Sequence, residues 1–309
     1  MGTNKFNIEA LKAELLTVLP SIRVRQQEEL KYHTTFKIGG PADLFIEPTT
    51  IQEMSFVLKT ISKHDIPLTV IGSGSNILVK DKGIRGAVVS VKEMMQILDC
   101  NDNTLCVGAG YMLKDVSEFA WSHGLTGLEF AIGIPGTLGG AVFMNAGAYD
   151  GEMSHIVSAV RAVSVDGTIK EYNVSQLDFG YRHSVFHDNH EVIVEIIMTL
   201  KGGNKDEIKD RMDDLTKKRE SKQPLEFASA GSTFKRPTGY YAGTLIEQTG
   251  LKGFSVGDAQ VSEKHAGFVI NTGNASANDV LTLIKEVQQR VHDAHGVHLE
   301  PEVRMIGED

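Results

Sequence analysis

Cysteine is nearly absent from this chain: Cys100 and Cys106 are its whole complement. Two thiols are too few for a disulfide framework or a cysteine zinc site, and they read as small buried hydrophobes. No apolar run reaches bilayer-spanning length, and the opening residues are mostly polar, so neither a membrane helix nor a secretory signal peptide is expected. Met1-Gly2 opens like a myristoylation signal, but Phe6 stands where that signal needs Ser or Thr. A reducing cytoplasm is the default compartment on this reading. Positive charge is in deficit, with a formal net charge of −9. That disfavours nonspecific nucleic-acid binding but leaves room for a local cationic pocket. Nothing marks an obligate interface, so a monomer is expected.

Three phosphate or nucleophile signatures are also missing. After the apolar run at residues 68–71 comes Gly72-Ser-Gly-Ser-Asn76, but Ile77 occupies the third-glycine position of a dinucleotide fingerprint. Residues 77–79 read as a strand rather than a helix. No Gly-Lys-Ser/Thr ending marks a P-loop. Ser232 lacks the Gly-x-Ser-x-Gly frame of a hydrolase nucleophile.

What is present is glycine, in two dense stretches. Residues 133–149, GIPGTLGGAVFMNAGAY, carry Gly133, Gly136, Gly139, Gly140 and Gly147 with Pro135. The other is the Gly72 loop. Glycine lets backbone lie directly against a ligand, and two such loops of different pattern suggest a large ligand held by main-chain amides. The 309 residues, 41% of them hydrophobic, suffice for two domains with separate cores.

Apolar spacing predicts helices over residues 7–19, 51–61, 113–123, 206–222, 242–249 and 276–295. Capping boxes are expected at Thr50/Glu53 and Ser276/Asp279. Strands are expected at 44–47, 68–71, 77–79, 86–91, 104–109, 191–200 and 297–306, with a turn at 99–103 and a hairpin across Asp166-Gly167. The first half thus reads as α+β with mixed short strands. A smaller α/β unit follows a boundary near 201–204, with a last strand that can return to the first half.

Three islands hold polar groups in tight apolar or glycine-bounded frames: Tyr181-Arg-His-Ser-Val-Phe186, Ser229-Ala-Gly-Ser-Thr-Phe-Lys-Arg-Pro237 and Leu299-Glu-Pro-Glu-Val-Arg304. Taken singly, Arg182, Ser232 and Glu302 read as a surface arginine, a turn serine and an edge-strand glutamate. Lys235 and Arg236 stand close to Ser232 and could assist its hydroxyl or bind an anion. His292, His295 and His298 invite a metal reading. They fit better as partly cationic groups at a helix C-terminus, with no carboxylate at matching spacing, and no metal is expected.

Together the islands, with Thr34-Thr-Phe-Lys-Ile-Gly-Gly-Pro-Ala-Asp43 and both glycine loops, resemble the UDP-N-acetylenolpyruvoylglucosamine reductases, flavoenzymes of peptidoglycan precursor synthesis. The resemblance covers nearly the whole chain. Phe186 is followed almost at once by the 191–200 strand, without a long insertion bearing a tyrosine lid, so the similarity is to the shorter, type II branch.

The resemblance implies an α+β fold of the vanillyl-alcohol-oxidase type. An FAD-binding region would span 1–202, in subdomains of about 1–90 and 91–202, with a substrate-binding domain at 203–309. It implies FAD contacts at Ile71, Gly72, Ser73, Gly74, Ser75, Asn76 and Ile77, and at Gly133, Gly136, Thr137, Gly139, Gly140 and Ala141. Neither loop contains His or Cys, so the FAD is expected to be noncovalent. It implies NADPH as reductant and UDP-N-acetylglucosamine enolpyruvate as substrate. Its catalytic positions fall on Arg182 (carboxylate and enolate stabilisation), Ser232 (proton donor) and Glu302 (assisting donor). Lys222, Lys235, Arg236, Lys252 and Lys264 are candidates for the substrate diphosphate. Two other readings are an FAD-linked oxidase that passes electrons to oxygen, and a flavin- or UDP-sugar-binding sensor without turnover.

Overall fold

The computed structural model describes residues 6–309; the Met1-Gly2 signal lies outside them. By its own contacts the chain forms two compact units built from alternating segments. The first comprises Met1–Gln26, Asp43–Ser73 and Gly86–Lys218; the second comprises Gln27–Ala42, Gly74–Arg85 and Arg219–Asp309. Among the described residues, no helix is long and apolar enough to cross a membrane.

The first unit holds two larger sheets, of four and five strands, besides short two-stranded pairs. One is ordered Val24–Glu29, Pro41–Ile46, Ile84–Ser90, Leu68–Ile71, with the last two strands parallel. Helices Ile8–Leu15 and Ile51–Lys63 bury Leu11, Leu15, Met54, Val57 and Leu58 in the core that includes Leu44, Ile46, Val89 and Val194. The other sheet is antiparallel throughout, ordered Ile169–Asn173, Val157–Val163, Val192–Thr199, Thr104–Gly108, Leu98–Asn101. The strand Val192–Thr199 is buried along most of its length, which explains its run of β-branched residues in place of an alternating pattern. Its core takes in Leu138, Ala141 and Val142 from the second glycine stretch.

The second unit is smaller. Its antiparallel sheet runs Ala228–Ser232, Phe268–Asn271, Ala259–Val261, Ser255–Val256. Helix Ala277–His295 supplies Val280, Ile284, Val287 and Val291 to its core. That helix has both halves of its capping box, Ser276 Oγ with Asp279 N–H and Asp279 Oδ2 with Ser276 N–H, and stops at left-handed Gly296. Strand Arg304–Ile306 pairs in parallel with Ile77–Val79.

Several expectations need correcting. The Thr50 box is half formed: Thr50 Oγ1 accepts the Glu53 N–H at 2.9 Å, but the Glu53 carboxylate turns instead to Arg23, at 2.6 and 2.9 Å. Residues 98–101 are strand rather than turn, and the reversal is confined to Asp102 and Asn103, with Asp102 at φ +51°. The last strand is only Arg304–Ile306. Pro301 upstream makes an isolated bridge to Phe234, and proline has no N–H to extend a ladder. The two cysteines are free and only partly buried.

Two predictions arise here. The Arg23 hydrogen bonds hold the Glu53 carboxyl at about 2, against an ordinary 4.5. A depressed carboxyl stabilises the fold fully above its unfolded pKa and loses that effect as pH falls towards its folded one. The contribution is at most about 3 kcal/mol. The melting temperature of Glu53→Gln is therefore expected to depend less on pH than the parent's between about pH 5 and about pH 2; thermal scans across that range check this. Burial, helped by Glu195, pushes the Cys106 thiol up to about 11. Its alkylation at neutral pH is expected to be well over tenfold slower than that of free cysteine, because the thiolate is the reactive form. Peptide mass spectrometry after timed labelling measures it.

Candidate functional site

The two glycine stretches meet in the first unit. A β-carbon on Gly72 would lie 2.3 Å from Thr137 Oγ1, and one on Gly139 would lie 2.8 Å from Ala109 Cβ. Here glycine serves close packing of chain on chain. The N–H groups of Leu138, Gly139 and Ala141 are committed to Tyr111 O, Ala109 O and Thr137 O. Thr137 caps the short helix Leu138–Phe143, its Oγ1 accepting from Gly140 N–H. The Gly72 loop differs. Among the described residues, no acceptor of this chain lies against the N–H groups of Ser73, Gly74 and Ser75. A run of uncommitted amides suits a phosphate-bearing cofactor such as FAD.

Gly74 is the fixed point of that loop. Its φ is +65°, and a β-carbon would sit 2.4 Å from His33 O and 2.8 Å from Thr34 Cα. Its carbonyl accepts from Thr35 N–H at 3.3 Å, and Thr35 Oγ1 donates to Ser229 O at 2.7 Å. Asn271 Nδ2 adds a bond to Phe36 O at 3.2 Å. The Thr34 motif thus braces the loop against the strand that carries Ser232.

Ser232 ends that strand, exposed. The register steps from Ser229↔Ile270 to Ser232↔Phe268, three residues against two. Gly231 takes up the extra residue at φ +76°, and among the described residues nothing lies within 4 Å of a β-carbon there. Backbone conformation, not space, therefore requires glycine here, and the bulge re-aims the serine.

Beyond Ser232, the chain pairs with the third island. Lys235 N–H bonds Glu300 O, and Glu302 N–H bonds Thr233 O, both at 2.8 Å. Glu302 is partly buried and lies just before strand Arg304–Ile306, not within a strand. Asn76 grips it from the other side: Asn76 Nδ2 donates to Glu302 O at 3.4 Å, and Arg304 N–H to Asn76 O at 3.0 Å. Ser232, Glu302 and the 74–76 part of the loop are thus linked by short bonds inside the second unit.

Arg182 belongs to the first unit. It sits in a turn closed by Gly180 and His183, with its guanidinium carbon 5.6 Å from the Tyr181 ring centroid. Asn145 and Ser184, on neighbouring segments, carry contacts to this turn that sequence spacing did not expose.

Four of the five cations are already engaged by groups of this chain. Lys235 pairs with Glu300, Lys252 with Glu247, and Lys264 with Glu220 O and Glu226. Arg236 lies 4.1 Å over the Tyr241 ring. Lys222 is exposed at a helix end. Half-buried His265, which the sequence did not single out, has its pKa lowered by burial, with smaller, mutually opposing effects from the charges of Lys252 and Glu247.

The His292 ring stacks on His298 at 4.0 Å, and His295 bonds Thr249 Oγ1. Among the described residues, Asp178, His183 and Asp188 bring ligand atoms within 4.8 Å. Both aspartates are exposed, and the group reads as a surface ion-pair cluster.

Residues 42–173 match the FAD binding domain family, and residues 223–306 match the UDP-N-acetylenolpyruvoylglucosamine reductase C-terminal domain family. The UDP-N-acetylenolpyruvoylglucosamine reductase of Clostridioides difficile is 47% identical over 98% of this chain and 100% of its own. A Bacillus cereus protein, UDP-N-acetylenolpyruvoylglucosamine reductase 2, is 48% identical over 98% and 99%. The crystal structure of the Thermus caldophilus enzyme of the same name superposes with a TM-score of 0.80 at 37% identity, covering 92% of this chain and 100% of that one. The expected vanillyl-alcohol-oxidase-type α+β fold agrees with the FAD-binding match and with the mixed helix and strand content.

Proposed function

Because the chain belongs to the UDP-N-acetylenolpyruvoylglucosamine reductase family, we propose that it reduces UDP-N-acetylglucosamine enolpyruvate to UDP-N-acetylmuramate with NADPH, using noncovalent FAD. The reaction serves peptidoglycan precursor synthesis in the cytoplasm, a compartment in keeping with two free thiols. The observation that carries the reading is the pairing of residues 233–235 with 300–302, which holds Glu302 beside the exposed Ser232.

FAD, when bound, would supply the hydride chemistry that links NADPH to the distal enol-ether carbon. Ile71, Gly72, Ser73, Gly74, Ser75, Asn76 and Ile77 would hold it, with Gly133, Gly136, Thr137, Gly139, Gly140 and Ala141. The uncommitted amides of Ser73, Gly74 and Ser75 favour them as the diphosphate contacts. In the second stretch the amides used for packing make shape, more than donors, the contribution of Gly139 and Ala141.

Arg182 binds the substrate carboxylate with a bidentate fork and offsets the charge that builds beside it. Ser232 gives a proton from Oγ to the carbon next to that carboxylate. Glu302 donates to the enolate oxygen from the adjoining segment. Lys222, Lys235, Arg236, Lys252 and Lys264 are proposed for the substrate diphosphate. The functional division is residues 1–202 for the cofactor and 203–309 for the substrate. The compact units cut across it, since 27–42 and 74–85 fall in the second unit.

The test is product analysis. Incubation with NADPH and the enolpyruvyl substrate should give a product heavier by two hydrogens, with one product molecule formed per NADPH oxidised. NADPH oxidation that leaves the sugar nucleotide unchanged would refute the proposal.

A further inference from the structure

Arg182 stands in a turn whose ends, Gly180 and His183, exchange backbone bonds of 3.1 and 3.2 Å. Its φ of +55° lies in the left-handed region. A side chain with a β-carbon stays there only where its surroundings over-determine the conformation. Both legs of the turn are tied to one short segment, residues 143–145. Asn145 gives one amide hydrogen to Gly180 O at 3.1 Å and the other to Glu152 Oε1 at 3.3 Å. Its Oδ1 accepts the Ser154 N–H at 2.9 Å. On the other leg, Ser184 Oγ donates to Phe143 O at 2.7 Å.

Asn145 and Ser184 are 4% and 0% exposed, so a lost partner would leave a buried polar group unsatisfied, which is costly. Ser154 Oγ also bonds the Glu152 carboxylate, and the positive charge of Arg182 acts on that carboxylate. Residues 143–145 continue directly from helix Leu138–Phe143, which grows out of the Gly133 stretch. One segment thus serves both the proposed cofactor cradle and the arginine.

We propose that Asn145 is a positioning residue for Arg182: with Ser184, it locks the turn that aims the guanidinium at the substrate carboxylate. This rests on the reading of Arg182 as carboxylate anchor.

The experiment uses the full chain loaded with FAD, as Asn145→Ala, Asn145→Asp, Ser184→Ala, Arg182→Ala and the Asn145→Ala/Arg182→Ala double variant. Stopped-flow absorbance follows bleaching by NADPH and then recovery with the enolpyruvyl substrate. Calorimetry measures affinity for UDP-N-acetylmuramate.

Asn145→Ala is expected to slow recovery roughly ten- to hundredfold, as sub-ångström misplacement does. It should weaken product binding about tenfold and leave bleaching within about twofold. Asn145→Asp keeps the acceptor but loses both donors, so it should not rescue. Ser184→Ala should fall in the same direction by a smaller factor, and it carries the test if Asn145→Ala fails to fold. Added to Arg182→Ala, the Asn145 change should cost less than about twofold more.

Additive losses in the double variant, or equal slowing of bleaching and recovery, overturn the positioning role. So does parent-like recovery of both Asn145→Ala and Ser184→Ala beside a slow Arg182→Ala. Parent-like recovery of Arg182→Ala itself overturns the anchor reading, a distinct result.

Discussion

Ser232→Ala is expected to leave the bleaching of the flavin by NADPH unchanged and to slow the return of colour with substrate by roughly 10²- to 10⁴-fold, the range for loss of a positioned proton donor. The split follows from where the residue acts. On the proposed mechanism, reduction of the flavin by NADPH needs no proton from Ser232, whereas protonation of the carbon beside the substrate carboxylate does. The change should also be structurally silent. Ser232 is exposed at a strand end, and the bulge that aims it depends on Gly231 at φ +76°. The melting temperature should therefore hold, since exposed substitutions stay within about 0.5 kcal/mol. Rapid-mixing traces of each half-reaction decide it. Equal loss in both halves would mean that Ser232 acts on the cofactor site instead.

Gly74→Ala should have the largest effect on folding and cofactor retention. The new methyl would meet main-chain atoms, His33 O at 2.4 Å and Thr34 Cα at 2.8 Å, which cannot rotate away. The residue would also have to hold φ +65°. Left-handed strain and backbone displacement together cost on the order of 3 kcal/mol or more. The shift would pass through Thr35 to the Ser232 strand, because Thr35 bonds both Gly74 O and Ser229 O. The variant is expected to purify with little bound flavin and a melting temperature lower by several degrees. Absorbance per polypeptide and calorimetric scans measure both. A fully flavinated, equally stable variant would show that this loop is not the cofactor cradle.

Legibility in the sequence followed the range of the forces involved. Ser276 and Asp279 announce a capping box because both partners lie within one turn. Thr50 and Glu53 have the same spacing, yet Arg23, remote in sequence, takes the carboxylate. Glycine at 74 is visible as punctuation; its reason, the carbonyl of His33, comes from a segment far along the chain. The expectation of bare amides along both glycine stretches holds for Ser73, Gly74 and Ser75, but not for Gly139 and Ala141, whose N–H groups are committed to Ala109 and Thr137. Glu302 read as a strand residue because its neighbours are apolar. Pro301 makes only an isolated bridge to Phe234, and a strand forms only from Arg304, against Ile77–Val79. Asn145 and Ser184 gave no periodic signal; their partners are carbonyls of distant loops. The order of the islands along the chain was legible as a family pattern, and the matched domain families agree with it.

The most direct test of the central claim is the colour of the purified protein under anaerobic mixing. The account predicts a yellow protein that NADPH bleaches and that UDP-N-acetylglucosamine enolpyruvate turns yellow again far faster than oxygen does. A colourless protein, or a bleached one that recovers with oxygen and ignores the sugar nucleotide, would contradict it.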